Sequence, residues 1–500
     1  MIARLALTVP LVACGGTSDG AKPGGGTSTR ATPAAPAELA MPALGVDAVR
    51  KLNYVYGDGA KDYAKVTAAL KATPRDWAAV RAAAEATLAK DADHLDARWA
   101  LGKALANTGE PDLATTALTA ALAGDWLAWG PGLADDPDLA AYLATPPGQA
   151  LTALSTKMGA AVKAAIASEP LILARRSTWK APKPGTSYAA TRGELYAVDL
   201  ASKRYLRVTH TDHTLAGFVR APSGELLLAG FSQAQVPPSA KAMTEAPLLT
   251  RAWVRAFSPT TLSDASARAS VGKARTIWVG YGAGEQIVVE TAAASGRWNP
   301  GKITSYVVDR STGKLTKGPG GARLEPSLQL ALDDVGPASA PTFPADLDAK
   351  LADKLAAVVD VDERGAPRLA AVAASPTGAW LAFASATDPC AKGDDAPKPS
   401  LYVADAKTGT YKHVLTAASR FGLQWIDADR LLYEDGTGGL RVFDAAAGRE
   451  TGKLGERAGM ALGALAPSAA PLCRTEPVVD DPDAVDDVPT DEGDAPAATP

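Results

Sequence analysis

A short phrase that recurs through the C-terminal two thirds of the chain limits what it can fold into. Each copy has an apolar strand end, then Asp or Ser, then a turn with Thr, Ser or Gly, then a second strand-like run. The phrase covers residues 195–203, 254–262, 306–314, 359–367, 402–410 and 442–448. Its turn residues are Asp199, Ser258, Asp309, Asp362, Asp405 and Asp444, at intervals of 59, 51, 53, 43 and 39. This periodicity predicts a series of similar antiparallel β units.

A second phrase, a turn followed by an apolar run, precedes several of these hairpins. It occurs at residues 222–228 and 375–383, with a diverged copy at 426–433. Together the phrases resemble the four-stranded blades of β-propellers of the TolB or WD40-like type. The resemblance implies an all-β propeller of six or seven blades over residues 170–475, and a β-sandwich or two small β-domains is the alternative.

Two further segments bear on this β region. Residues 460–465 form a last strand-like piece, which we expect to pair with a strand near residues 171–174 and close the ring. Residues 346–358 have a helical pattern, which predicts a helix inserted between two blades.

Residues 46–169 have a helical pattern, so the predicted fold class is α + β multidomain. Candidate helices cover residues 47–56, 62–72, 76–90, 95–107, 111–123 and 147–167. Six residues match the spacing of the 34-residue tetratricopeptide repeat (TPR): Leu101, Gly102, Gly109, Ala114, Leu118 and Ala121. This part therefore resembles a TPR-like domain with one good repeat and a degraded neighbour at residues 77–93, and a plain helical bundle is the alternative.

The N-terminus has the pattern of an export signal. Arg4 is followed by a short apolar stretch that ends in Leu-Val-Ala-Cys14. This tetrapeptide resembles the lipobox of bacterial lipoproteins, which implies cleavage of residues 1–13 and lipidation of Cys14. Residues 14–45, rich in Gly, Ser, Thr, Pro and Ala, then form a flexible tether. The alternative is a chance cysteine in a short cytosolic N-terminus.

The resemblance implies a protein anchored in the cell envelope through its lipid. We expect the outer membrane of a bacterium with two membranes, with the protein facing the periplasm or the exterior. The net charge of -4 does not exclude a nucleic-acid partner, because it is an average of two regions of opposite sign. The argument against such a partner is therefore the export signal. Residues 476–500 carry nine acidic and no basic side chains, a composition typical of a disordered acidic tail, which leaves +5 for residues 1–475.

The chain has three cysteines, Cys14, Cys390 and Cys473. If Cys14 is lipidated, the other two form an even set in an oxidising compartment, which favours a disulfide between them. In the chain-entropy description a bridge across this loop would stabilise the fold by about 4 kcal/mol. Two free thiols are the alternative.

Few residues have the spacing of a metal or catalytic site. His210, Asp212 and His213 are candidates for a metal site, with a solvated loop as the favoured alternative. The sequence has no Gly-x-Ser-x-Gly elbow or phosphate-binding loop, and Gly280, Gly282 and Gly284 lack the spacing of a dinucleotide site. A calcium loop at residues 360–371 would lack oxygen ligands at Arg364 and Ala371. We therefore expect no metal and no cofactor.

The function favoured by the sequence is a non-enzymatic scaffold that binds envelope or periplasmic proteins through the helical repeat and the propeller. One alternative is a propeller-type envelope hydrolase or lyase, whose polar candidates are Asp334 and the His210, Asp212 and His213 group. The other is a carbohydrate-binding protein that uses an exposed aromatic residue such as Trp298 or Trp253, and a place in the core is the equal alternative for both tryptophans.

The lipidation site gives the first testable prediction. Replacing Cys14 by Ser removes the thiol that forms the thioether, so the variant should incorporate no radiolabelled palmitate in the native host. Labelling that persists in Cys14→Ser would contradict the assignment of this cysteine.

Overall fold

The computed structural model describes residues 38–48, 59–176, 187–188, 193–211, 215–235, 248–274, 276–292, 303–318, 327–331, 343–359, 369–385, 400–416, 423–435, 439–455 and 460–462. Within these residues, helices come first and antiparallel strands follow. Of the described helices, none is long and apolar enough to cross a membrane.

The helices of the N-terminal part are α1 (Ala60–Lys71), α2 (Trp77–Lys90), α3 (Leu95–Asn107), α4 (Pro111–Gly124), α5 (Trp126–Trp129), α6 (Ala140–Leu143) and α7 (Pro146–Ser168). The five predicted helices that lie wholly in the described residues agree within two residues at each end. For the helix predicted at 47–56, residues 49–56 lie outside the described residues. The sequence pattern missed α5 and α6 because four residues are too short for a helical period to show.

Residues at the helix starts explain why the helix boundaries could be predicted from the sequence. The Asp76 carboxylate accepts a hydrogen bond from the amide of Ala79 at 3.0 Å and caps α2. Thr145 caps α7 in the same way, through the amide of Gly148. Pro111 begins α4, where its missing N–H costs no hydrogen bond.

In the described residues, twenty-three strands follow, with one further α-helix. They are β1 (Leu171–Arg176), β2 (Ser187–Tyr188), β3 (Gly193–Asp199), β4 (Arg204–Arg207), β5 (Leu215–Arg220), β6 (Leu226–Gln235), β7 (Leu248–Ser258), β8 (Ser263–Asp264), β9 (Ala269–Val271), β10 (Thr276–Tyr281), β11 (Ile287–Ala292), β12 (Ile303–Val308), β13 (Leu315–Lys317), β14 (Ser327–Ala331), α8 (Ala349–Ala356), β15 (Leu369–Ala374), β16 (Trp380–Ser385), β17 (Ser400–Asp405), β18 (Tyr411–Thr416), β19 (Leu423–Trp425), β20 (Arg430–Glu434), β21 (Leu440–Asp444), β22 (Arg449–Gly455) and β23 (Met460–Leu462). The helix α8, capped by Asp348, confirms the helical segment predicted at residues 346–358.

The strands form five antiparallel meanders in the part of the chain that the structure describes. The first has the order β23-β1-β3-β4, and the second has β5-β6-β7-β8 with β2 and β9 beside it. These two belong to one ten-stranded sheet, joined by the pair Gly193 and Leu215 between β3 and β5. The others are β13-β12-β11-β10-β14, β15-β16-β17-β18 and β19-β20-β21-β22. The expected count of six or seven units is therefore not confirmed within these residues.

The first meander contains the last described strand of the chain. Strand β23 pairs antiparallel with β1, with Ala174 opposite Leu462 and Arg176 opposite Met460. This confirms the expected pairing of residues 460–465 with the region of residues 171–174. The β region is thus joined end to end, which covers an edge of the first meander that would otherwise be open.

The predicted Asp and Ser turns join neighbouring strands in five of the six places, and Asp362 lies outside the described residues. At Asp309 the carboxylate accepts hydrogen bonds from the amides of Ser311 and Thr312, both at 2.9 Å. Four residues after each turn residue the backbone has a positive φ of 57° to 69°, at Lys203, Leu262, Gly313, Gly409 and Gly448. The repeated phrase therefore encodes one five-residue hairpin loop with a left-handed last residue.

The second phrase also forms turns. Residues 222–224 join β5 to β6 and residues 376–378 join β15 to β16, with Gly224 at φ 89° and Gly378 at φ 70°. The glycine cluster that lacked dinucleotide-site spacing lies at the corresponding turn between β10 and β11, where Gly284 has φ 64°.

The helices and the first two meanders share buried apolar cores. Val162 and Ile166 of α7 pack in one cluster with Leu171, Leu195 and other residues of these strands. Leu95 of α3 joins Tyr196, Tyr205 and Leu432 in another. At about 25 cal/mol per Å² of apolar surface, such packing fixes the helices on the sheets.

The left-handed turn position predicts a gain in stability at Lys203, an exposed residue with φ 57°. Glycine adopts this backbone conformation without strain, so Lys203→Gly should raise the free energy of unfolding by about 0.5–1 kcal/mol in urea. Lys203→Ala is the control, because alanine keeps the Cβ atom and should give no such gain.

At the equivalent turn position in the third meander, a substitution should lower the free energy of unfolding. Gly313 has φ 69°, and a Cβ atom there would lie 2.5 Å from the Arg268 carbonyl oxygen. Gly313→Ala should therefore lower the free energy of unfolding by about 1–2 kcal/mol or more. Equal stability of Gly313→Ala and the parent would contradict this account of the turn.

Candidate functional site

The helices α2, α3 and α4 form a groove of about 380 Å³, the candidate functional site. Ten residues line it: Arg81, Glu85 and Leu88 of α2, Ala92, Arg98, Leu101 and Leu105 of α3 and the loop before it, and Leu113, Thr116 and Ala117 of α4. We call this surface the α2–α4 groove. Its floor and walls are largely aliphatic, which favours an apolar ligand surface.

Close packing of α3 on α4 shapes one side of the groove. A Cβ atom at Gly102 of α3 would lie 2.6 Å from the side chain of Leu118 on α4, so glycine is what allows this separation. The Leu118 side chain is fully buried there, whereas Leu113 on the same helix is 53% exposed. An exposed leucine beside a concave aliphatic surface marks an interaction site more specifically than an isolated surface leucine does.

Charged groups of both signs border the groove. Arg81 donates to Glu85 at 2.8 Å and also to Glu110. These partners raise the pKa of the Arg81 guanidinium, the hydrogen bond to Glu85 contributing most. Arg98 donates to the carbonyl of Ala92. The border of the groove thus carries both positive and negative charges, which favours a polypeptide with mixed charges over a strongly anionic ligand.

A second polar group lies where the helices meet the first meander, and we call it the junction cluster. It comprises Asp125, Glu194, Arg207, Thr209 and His210. Glu194 in β3 is fully buried. It accepts hydrogen bonds from Thr209 at 2.5 Å and from the amide of Thr211 at 2.7 Å, and it pairs with Arg207 at 3.4 Å. A buried carboxylate needs such partners to offset its lost hydration.

Arg207 connects the two carboxylates of the junction cluster. Its guanidinium lies 3.8 Å from Asp125 as well as beside Glu194. Burial acts to lower the pKa of Arg207, but Tyr196, Glu194 and Asp125 together raise it. Asp125 ends α4, and its Oδ1 atom is buried without a hydrogen-bond partner among the described residues. The cluster therefore ties the end of α4 to β3 and β4 by charge.

The structure places one of the three proposed metal ligands in this cluster. His210 Nε2 lies 2.9 Å from Asp125 Oδ2, which makes His210 a partner of the helical part. Asp212 and His213 lie outside the described residues. Within the described part of the chain, no group of three or more His, Cys, Asp or Glu could hold a metal ion. The observed role of His210 is a polar contact between the two parts of the fold.

The remaining predicted site residues are placed as follows. Cys14, Trp298, Asp334, Cys390 and Cys473 lie outside the described residues. Trp253 is 2% exposed, and the Arg268 guanidinium lies 4.6 Å from its ring centroid. Trp253 is a core residue, so the expectation that it could present an exposed sugar-stacking face is wrong.

Asp125, Glu194 and Arg207 are not among the site residues predicted from the sequence. A lone carboxylate in the apolar run 193–198 was a usable signal, because a charge inside a buried strand requires a partner. Arg207 could then be predicted as this partner from the hairpin, because it lies opposite Tyr196, which is two residues from Glu194 on β3. Asp125 could not be predicted in this way, because it lies at a helix end 69 residues before Glu194 in the chain.

No protein-family model matches the chain. No curated protein matches it either. Among solved structures, it is similar to an oligogalacturonate lyase in complex with manganese, at 13% identity over 56% of this chain and 77% of that one, with a TM-score of 0.24. It is also similar to dipeptidyl peptidase 4 of Porphyromonas gingivalis, at 11% identity over 58% of this chain and 34% of that one, with a TM-score of 0.16.

A third similar structure is an auxiliary nutrient binding protein from Bacteroides ovatus. The identity is 12% over 53% of each chain, with a TM-score of 0.19. The chain thus spans about half of this protein's length and a third of the peptidase's. At such TM-scores these likenesses support no conclusion about function.

The junction cluster gives a prediction about stability. Glu194→Ala should lower the free energy of unfolding by about 3–5 kcal/mol, because it leaves the Arg207 charge buried beside a cavity. His210→Ala is the matched variant in the same cluster, and it should cost about 1 kcal/mol or less because the imidazole is 35% exposed. Urea unfolding followed by circular dichroism measures both, and equal losses would contradict the assigned roles.

Proposed function

We propose that this protein is a lipid-anchored envelope protein that binds other envelope or periplasmic proteins without catalysing a reaction. The α2–α4 groove is the binding site, and the β region is a propeller that supports it. The observation that carries the proposal is the open aliphatic groove with a half-exposed leucine on its wall. Amphipathic peptide segments bind to surfaces of this kind by burying regularly spaced apolar side chains.

The helical part supports the proposal through its packing. Each of α1, α2 and α3 packs against the helix that follows it in sequence. The small residue Gly102 lies at the α3–α4 contact, where the TPR pattern has a small residue. A TPR-like stack of this kind presents concave grooves for polypeptides.

The β region supports a propeller through its connectivity. Successive antiparallel meanders follow each other along the chain, and β23 completes the meander that begins the region. Blades closed in this way expose short loops at both ends of a ring and leave little free strand edge. The predicted lipid at Cys14, with the part of the predicted 14–45 tether that precedes the described residue 38, would hold this assembly at the membrane surface.

A site-specific photo-crosslinker tests the groove directly. Placed at Leu113 in the full-length lipidated protein, it should give a discrete adduct with one envelope protein in native membranes. Ile303 is the control position, because it is also a large apolar residue, 45% exposed, on the distant strand β12. Identical adducts from both positions, or none from Leu113, would count against the groove.

A substitution then measures the contribution of the groove to affinity. Burying a leucine is worth about 1.5–3 kcal/mol, so Leu113→Glu should weaken binding of the captured partner by about tenfold or more. Ile303→Glu should leave the affinity unchanged, and both variants should keep the parent's thermal midpoint. Turnover of an envelope polymer by the purified protein would instead support the hydrolase or lyase alternative.

A further inference from the structure

Residues 38–48 form a strap that lies across the junction of the helices and the first meander. It runs as an irregular segment before α1, and it contacts α4, α7 and β4 within eleven residues. The strap is therefore the segment through which the N-terminal chain enters the folded body.

The helical side of the strap is held by one ion pair, one backbone hydrogen bond and two leucines. Glu38 pairs with Lys157 on α7, and both side chains are more than half exposed. Exposed pairs of this kind contribute little to stability. The amide of Gly45 donates to the carbonyl of Ala123 on α4 at 2.7 Å. Leu39 and Leu44 pack against the helical core from its edge.

The sheet side of the strap is held by backbone pairing with β4. The amide of Val46 donates to the Tyr205 carbonyl at 2.9 Å, and the amide of Tyr205 donates to the Val46 carbonyl at 2.7 Å. Arg204 adds hydrogen bonds to the carbonyls of Leu44, at 2.7 Å, and Gly45. Among the described residues, β4 is the outer strand of the first meander, so Val46 pairs with the outer edge of this meander.

Close approach makes one position of the strap specific for glycine. Gly45 has φ 73°, and a Cβ atom there would collide with the Tyr205 carbonyl oxygen. Gly109, between α3 and α4, has φ 84° and has no atom within 4 Å of an added Cβ. The two glycines share the left-handed backbone, and only Gly45 has the tight contact.

We propose that the strap is a detachable clamp. When bound, it covers the backbone of β4 at Tyr205; when peeled away by tension on the preceding chain, it uncovers this strand, while the shared apolar cores keep the helices on the sheets. Tension from the N-terminal side loads these bonds in order from Glu38 onward, and the buried side chain of Val46, which packs with Leu95 and Tyr205, releases last. The lipid anchor of the proposed function would be the source of this tension. Detachment of the strap does not depend on that anchor.

Hydrogen exchange tests the clamp in the full chain. Gly45→Ala should speed exchange of the Val46 and Tyr205 amides at least tenfold, with unchanged exchange in β16 and β17, which lie in other cores, and unchanged circular dichroism. Gly109→Ala should leave the Val46 and Tyr205 amides at the parent rate. Faster exchange throughout the chain in Gly45→Ala, or equal rates in both variants, would overturn the proposal. If Gly45→Ala does not fold, Arg204→Gln, which removes two strap bonds from outside the strap, should give the same local effect.

Single-molecule stretching tests the order of release without any lipid. With handles at residue 37 and at exposed Lys407, the first event should lengthen the chain by on the order of tens of Å, because residues 38–48 extend to about 35 Å and already span part of that length. Gly45→Ala should lack this event or show it at lower force. A first event of several hundred Å, as expected for unfolding of the helices, would overturn the clamp. Failure of Cys14→Ser to abolish palmitate labelling would leave this result intact and would affect only the proposed anchor.

Discussion

The left-handed residue at the end of each Asp or Ser turn is the constraint on which the β region depends. It reverses the chain over five residues, which keeps the two outer strands of each meander in register. Three of the five copies place glycine there, while Lys203 and Leu262 hold the same conformation at a cost in backbone strain. The conformation is therefore set by the hairpin as a whole, with the capping carboxylate or hydroxyl contributing at its start.

This local origin explains why so much of the β region could be predicted from sequence. The turn residue and the backbone it caps are neighbours in the chain, so the phrase at Asp309 or Asp405 predicts its hairpin alone. Helix boundaries were predictable for the same reason, since caps such as Asp76 act within three residues. The joining of the first two meanders into one ten-stranded sheet was not predictable in this way, because it depends on a single pair between Gly193 and Leu215.

The contacts between the two parts of the fold were beyond such reasoning. The junction cluster brings Asp125 to Arg207, and the strap brings Val46 to Tyr205, across more than 80 residues in each case. No local pattern marks either pairing, and only the buried charge of Glu194 showed that a partner was required. The groove was likewise unforeseen in detail, because Leu113 is an ordinary apolar residue of an amphipathic helix until its exposure is known.

The end of α4 connects the strap, the junction cluster and the groove. The carbonyl of Ala123 accepts from the strap, Asp125 carries the charge contacts to β4 and His210, and Leu113 lies about 15 Å away along the same helix at the groove wall. A helix of this length moves as a rigid rod, so a shift of its C-terminal end also moves Leu113 relative to the sheet. Release of the strap removes one of the restraints on that end, while Asp125 keeps another. The junction cluster and the shared apolar cores therefore keep the helices, and the groove they carry, in place when the strap is peeled away.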